Sequence, residues 1–242
     1  MVPSLTSVPD TDEGAVAQNL RQAAASGRLI ENPDGTLQLP GDRSLDLDFI
    51  RVGDNPNCRF LKKFLFRRAY AEAVVPAGCQ ACFKIKVAPK TLRELVAAWR
   101  VAQRIECSSK WGIDLDNPLS QDIYAGYFYL TSLNEARALY KVVREAFDAE
   151  PKLGPDVRTF IKRGCSVYEA TVGPSDQWQY TAEMVQIEAR LKARFRTKPR
   201  RTAPNSAVLA RWIDLAFRLG DDTYLDFTDG KRLRPKTLTY EP

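Results

Sequence analysis

The sequence predicts an α+β fold: a ferredoxin-like split βαβ sandwich, with a four-stranded antiparallel sheet, two helices on one face, and N- and C-terminal extensions. Three observations carry this expectation. Segments 82–88 (CFKIKVA), 109–115 (SKWGIDL), 124–130 (YAGYFYL) and 157–163 (VRTFIKR) alternate apolar and polar residues with the period of a strand. Two stripes of helical period separate them, and each opens on a capping box, Thr91 to Glu94 and Ser132 to Glu135. The resulting order of strand, helix, strand, strand, helix, strand is that of the split βαβ unit.

Along the chain, the opening dozen residues are polar and expected to be disordered. Residues 13–26 (EGAVAQNLRQAAAS) read as a short helix ending at Gly27. RLIENPDGTLQLP reads as a hairpin, because Asn32-Pro33-Asp34-Gly35 supplies turn chemistry between two apolar runs. SLDLDFIRV at 44–52 alternates again. Residues 59–73 are expected to be helical, with Phe60, Leu61, Phe64 and Leu65 on one face and Lys62, Lys63, Arg67 and Arg68 elsewhere. In the central part, the first helix presents Leu92, Leu95, Val96, Trp99 and Ala102, and the second Ala136, Tyr140, Val143 and Phe147.

Beyond the last strand, Tyr180, Met184, Ile187, Leu191 and Phe195 mark an amphipathic helix, and Val208, Trp212 and Leu215 mark another at 206–218. The end reads as a hairpin turning at Asp229-Gly230. The expected organisation is an N-terminal extension at 1–75, a core carrying the cysteines at 76–172, and C-terminal helices with a hairpin at 173–242.

Composition removes several function classes. With 242 residues, 44% of them hydrophobic, the chain has enough apolar surface for a core without disulfides. No apolar run approaches the length of a membrane span, and the N-terminus lacks the basic and apolar regions of a secretory signal, so a cytoplasmic protein is expected. Histidine is absent, which excludes Ser-His-Asp and Cys-His catalytic sets and leaves Cys, Asp and Glu as metal ligands. There is no phosphate-cradling glycine loop, zincin motif or GxSxG. Asp114 and Asp116 are the nearest thing to an acid–base pair, and a strand leading into a loop explains them equally well. No stand-alone catalytic set emerges. The net charge of +6 favours an anionic partner, either an acidic protein within a larger complex or a nucleic acid.

The five cysteines are more informative. Cys79 and Cys82 form a CxxC pair at the start of the first strand, Cys107 precedes the second, and Cys165 follows the fourth. In the split βαβ order 4-1-3-2 the first two strands run parallel and the fourth runs opposite, so these positions share one end of the sheet. Converging thiolates need a cation or a cluster to offset their repulsion, and four thiolates suit zinc or iron–sulfur. One CxxC with two distant cysteines fits a larger cluster, expected as 4Fe-4S, better than a zinc ribbon with two CxxC knuckles. Lys162, Arg163, Lys110 and Arg104 flank these positions and would offset the cluster's charge. Cys58, which follows the turn Asn55-Pro56-Asn57, is the reserve ligand. Free cysteines are also common as small buried apolar residues, which is the alternative explanation.

If Phe83, Ile85 and Val87 face the helices, Lys84 and Lys86 face the other way. The same alternation puts Tyr127, Tyr129, Arg158, Phe160 and Lys162 beside them. Rings interleaved with cations on an open sheet resemble an RNA-recognition surface. Ala125 stands where that module's third strand carries a cation, and the first strand lacks its aromatic. The terminal segments are therefore expected to cover this face, bury the three rings and leave only weak nucleic-acid binding. The arginine-rich stretches 59–68 and 192–201, the latter with Arg194, Arg196, Arg200 and Arg201, are a second candidate for phosphate contact. The leading expectation is an iron–sulfur protein acting in electron transfer or as an accessory subunit. The alternative is a nucleic-acid-binding subunit with a structural zinc.

Overall fold

The computed structural model describes residues 13–41, 45–115, 119–120, 122–196, 203–235 and 240. The expected disorder of the first dozen residues, and Asp116, Arg200 and Arg201, lie outside them. The protein is mixed α+β. Its main sheet has five strands, in spatial order β3 (Phe49–Val52), β5 (Ser109–Ile113), β6 (Tyr124–Leu130), β4 (Phe83–Ala88), β7 (Arg158–Arg163). Every pairing in it is antiparallel. The four expected strands are present, and the four-stranded expectation is corrected by a fifth. The alternating stretch at 44–52 adds β3 to the edge of β5, where Ile50 pairs with Trp111 and buries its side chain. The segment before it forms a separate hairpin, β1 (Ile30–Glu31) with β2 (Leu37–Gln38).

Two helices pack on one face of this sheet, α3 (Leu92–Ala102) and α4 (Leu133–Asp148). Both start as the sequence requires. Thr91 Oγ accepts from the Glu94 amide and Ser132 Oγ from that of Glu135. The glutamates reach one residue further back than in an ideal capping box, accepting from the amides of Lys90 and Thr131. Ile85, Val87, Leu95, Trp111, Phe128, Val143 and Phe147 form the core between sheet and helices. Gly126 is part of that packing, because a Cβ there would come within 2.1 Å of the Trp111 ring. Helix α7 (Asn205–Leu219) closes the same core, with Trp212 donating to the carbonyl of Asp48, the residue before β3, at 2.9 Å.

A second core lies away from the sheet. It is built from α1 (Glu13–Ala25), the hairpin, a π-helix at Arg59–Ala69 and α6 (Ala182–Arg194). Phe60, Phe64 and Phe195 stack there with Met184, Ile187 and Leu191. The expected helix at 59–73 is thus a wider one, with the Tyr70 amide closing on the Leu65 carbonyl. Its looser turn lets one helix bury two sides. Phe60, Phe64, Leu65 and Ala69 enter the second core, and Phe66 enters a third cluster with Val75, Cys79, Tyr168 and Trp178.

One further expectation is corrected. The C-terminal hairpin is a 3-10 helix, Asp222–Phe227, followed by a turn in which Asp229 and Gly230 both have positive φ. Thr223 to Phe227 do not extend because Asp221 caps this helix and the chain docks Tyr224 into the main core. On the second face of the sheet Lys84 and Lys86 are buried and Tyr127, Tyr129 and Phe160 are half-buried, while many apolar residues of the described terminal segments pack on one another. No helix among the described residues is long and apolar enough to cross a membrane.

Candidate metal centre and the open sheet face

Three separate parts of the chain deliver thiols to one end of the open face. After Pro76 the chain makes a single short helix, α2 (Ala77–Gln80), and the Cys82 amide then donates to the Cys79 carbonyl. This tight turn keeps the two sulfurs of the CxxC pair on neighbouring ground. The Gly164 amide donates to the Cys82 carbonyl at 2.8 Å, so the residue after it, Cys165, emerges beside Cys82. Gly164 has φ +61° and lies against the Trp178 ring, where a Cβ would come within 2.6 Å. Only glycine serves at that crossing. Cys165 then caps α5 (Ser166–Thr171), and the exposed Cys58 opens the π-helix.

The support below these thiols is dense. Tyr168 and Cys79 share a hydrogen bond at 3.1 Å. Buried Gln80 donates to the carbonyls of Val75 and Gln179, and Arg163 donates to the Gln80 carbonyl, fastening α2 to its neighbours. Glu188 of α6 accepts from Tyr70 Oη at 2.9 Å and from the Ala77 amide at 2.8 Å. Burial raises the Glu188 carboxyl, and these donors only partly offset it.

The central charge is Lys84. It is 6% exposed, and its Nζ donates to Cys165 Sγ and to the Gly164 carbonyl, each at 3.0 Å. Burial works against its charge, yet the negative potential of Cys165 and Cys82 holds its pKa well above the ordinary value. Burial likewise works against the Cys165 thiolate, but Lys84, Lys62 and Lys162 outweigh it and the thiol is lowered. Cys82 is pushed up to about 11 by burial and by charge on Cys165 and Cys58, against the pull of Lys84. Burial raises Cys79 furthest, helped by charge on Cys165, Cys58 and Cys82. Charge on Cys58 and Cys165 thus reaches both thiols of the CxxC pair.

Cys107 is not among them. Its Sγ lies 3.6 Å from the carbonyls of Ser108 and Tyr129, and it packs against the helix-side core. The sequence held the signal. Cys107 is two and four residues from Ser109 and Trp111, both buried on the helix side, so alternation puts it on the face opposite Lys84. The reserve position, Cys58, is exposed at the start of the π-helix. No cysteine is in a disulfide. Among the described residues, no three His, Cys, Asp or Glu side chains are disposed to hold a single metal ion.

The open face continues from Lys84. Cross-strand register sets Arg51, Lys110, Tyr127, Lys86 and Phe160 in one row, and Tyr129, Lys84 and Lys162 in the next. Lys84 Nζ is 6.0 and 5.7 Å from the ring centres of Tyr127 and Tyr129. Lys86 Nζ is 5.7 Å from Phe160, and Lys110 Nζ is 3.3 Å from Phe49. Lys86 and Arg158 pair with Asp122, and Arg51 with Asp46. Burial and the charge of Arg51 push Lys110 down to about 8, while burial and Asp114 push Tyr127 up to about 12. Arg194 and Arg196 are elsewhere: they pair with Glu31 and Asp34 and clamp α6 to the hairpin.

No protein-family model matches this chain, and no curated protein or solved structure is significantly similar to it.

Proposed function

We propose that the protein is an iron–sulfur protein whose cluster is held by Cys58, Cys79, Cys82 and Cys165, and that it serves electron transfer or an accessory role in a larger cytoplasmic assembly. The observation that carries this is buried Lys84 on Cys165 Sγ at 3.0 Å, with the Cys79–Cys82 turn tied to the same end of the sheet and charge on Cys58 reaching both of its thiols. Thiolates on one zinc sit about 3.8 Å apart for a Zn–S bond of about 2.3 Å, and no such closed group exists among the described residues. A cubane spreads its corners wider and takes ligands from separate loops, which is what this arrangement offers. Lys84, Lys62 and Lys162 offset the negative charge of a four-thiolate cluster. Cys58 is exposed, so electrons and partners have access from that side, where the basic π-helix suits an acidic protein.

The fold supports the same reading. With β3 set aside, the strands run β7-β4-β6-β5, the 4-1-3-2 order of a ferredoxin-like split βαβ core. We take β3 and the second core as additions to it.

The test is purification without oxygen. Brown protein with about four irons and matching labile sulfide per chain is expected for a cubane. Serine at Cys58, Cys79, Cys82 or Cys165 should each lower bound iron, while Cys107→Ser leaves it unchanged. Colourless protein with one zinc, or with no metal, overturns the proposal. Iron lost from Cys107→Ser and kept by Cys58→Ser overturns the ligand set.

A further inference from the structure

We propose that the open face of the sheet binds single-stranded nucleic acid, with bases on Tyr127, Tyr129 and Phe160 and phosphates on Lys110 and Lys162. This inference shares Lys84 and Lys162 with the metal reading, and Tyr127, Phe160 and Lys110, which the metal reading does not use, keep the two tests distinguishable.

The first ground is charge. Six cations share the face: Arg51, Lys84, Lys86, Lys110, Arg158 and Lys162. Asp46 and Asp122 pair with Arg51, Lys86 and Arg158. Lys84, Lys110 and Lys162 make no ion pair with a carboxylate among the described residues. Burial, and after it the neighbouring cations Arg51 and Lys84, disfavour the charged forms of Lys110 and Lys162 respectively. An anion lying on the face relieves both.

The second ground is the rings. Across the strands Tyr127 lies between Lys110 and Lys86, Phe160 beside Lys86 and Tyr129 beside Lys84, so a flat ligand group finds a π surface with an ammonium on its flank. Tyr127 and Tyr129 are two residues apart on β6, about 6.8 Å along the strand, so each presents its own ring. Base–aromatic stacking tolerates any sequence because every base has a π face. An acidic protein would use the cations and have no need of three half-buried rings between them, which is why we commit to nucleic acid.

The third ground is partial exposure. The apolar residues of α1, the hairpin and α6 pack against one another, and those of α7 join the core on the helix side of the sheet. The rings keep partial exposure, as stacking requires.

The experiment is fluorescence anisotropy of the full-length protein with a labelled 12-nucleotide uridine oligomer across a salt series. Micromolar or tighter binding is expected near 0.1 M salt. Each phosphate contact adds about −0.7 to the log–log salt slope, so Lys110→Gln and Lys162→Gln should each flatten it by about that amount. Tyr127→Ala and Tyr129→Ala should weaken binding about tenfold or more, and Tyr127→Phe should not. Phe160→Leu keeps apolar volume while removing the π face, so it reports stacking even if an alanine variant fails to fold. Absence of binding, affinity indifferent to Phe160→Leu and Tyr127→Ala, or equal competition by polyglutamate would each overturn the proposal. So would binding lost only on removing Arg194, Arg196, Arg200 and Arg201, which would place the contact on the basic run.

Discussion

Asp221→Ala should be among the costliest single changes outside the hydrophobic cores. The Asp221 carboxylate ties three elements together. Its Oδ2 accepts from the Leu92 amide at 2.6 Å, at the first turn of α3, and from Tyr124 Oη of β6 at 2.7 Å. Its Oδ1 accepts from the Thr223 amide at 3.0 Å and from Thr223 Oγ1 at 2.7 Å, capping the 3-10 helix. Truncation strands two donors on residues that stay buried, Leu92 and Tyr124. A buried donor left unsatisfied costs about 1–3 kcal/mol, and loss of a cap about 1 kcal/mol. Water recovers part of this at the half-exposed Thr223, so the expected loss is about 3–4 kcal/mol.

The effect carries a pH signature. Burial alone would raise the Asp221 carboxyl, but the donors from Tyr124, Thr223 and Leu92 outweigh it and hold it below the usual range. Stability from a depressed carboxyl is present above its unfolded pKa of about 3.9 and is lost as pH falls through the lower, folded value. Urea unfolding at pH 7 and near pH 3 should therefore show the gap between the native protein and Asp221→Asn narrowing in acid. A loss below about 1 kcal/mol for Asp221→Ala, a gap unchanged by pH, or strict additivity with Tyr124→Phe would refute the reasoning.

Two other variants test the packing around the two sites. Gly126→Ala drives a methyl into Trp111, with an approach of 2.1 Å, and should cost about 3 kcal/mol or leave the protein insoluble, read by thermal melting. Glu188→Ala strands Tyr70 Oη and the Ala77 amide, costs about 2–3 kcal/mol, and loosens α2. Alkylation of Cys79, slow in the native protein because the thiol is buried, should accelerate at least tenfold, and an unchanged rate would separate Glu188 from the support of the CxxC turn.

Local physics sufficed for much of this protein. Alternation and capping are short-range, so 124–130 reads directly as β6, and Thr91 and Ser132 mark where α3 and α4 begin. Period two also places Lys84, Tyr127 and Lys162 on one face before any pairing is known, because adjacent residues of a strand must point opposite ways. The absence of histidine and the CxxC pair narrow the chemistry by composition alone.

Partner choice is where sequence reasoning ran out. The edge position of β3 depends on Ile50 finding Trp111, a contact about sixty residues away that no local pattern contains. The π-helix at Arg59–Ala69 follows from two cores competing for its side chains, Phe64 drawn to one and Phe66 to the other. Thr223 to Phe227 alternate well enough for a strand, yet Asp221 and the docking of Tyr224 wind them into a helix. Cys58 is ranked last by spacing, yet its charge reaches Cys79 and Cys82, because the π-helix it opens packs Leu61 against Gly78 of α2. The cover of the second face is decided in the same way: the apolar residues of α1, the hairpin and α6 bury one another, and only their mutual fit, a tertiary property, sets how much of Tyr127 and Tyr129 remains accessible.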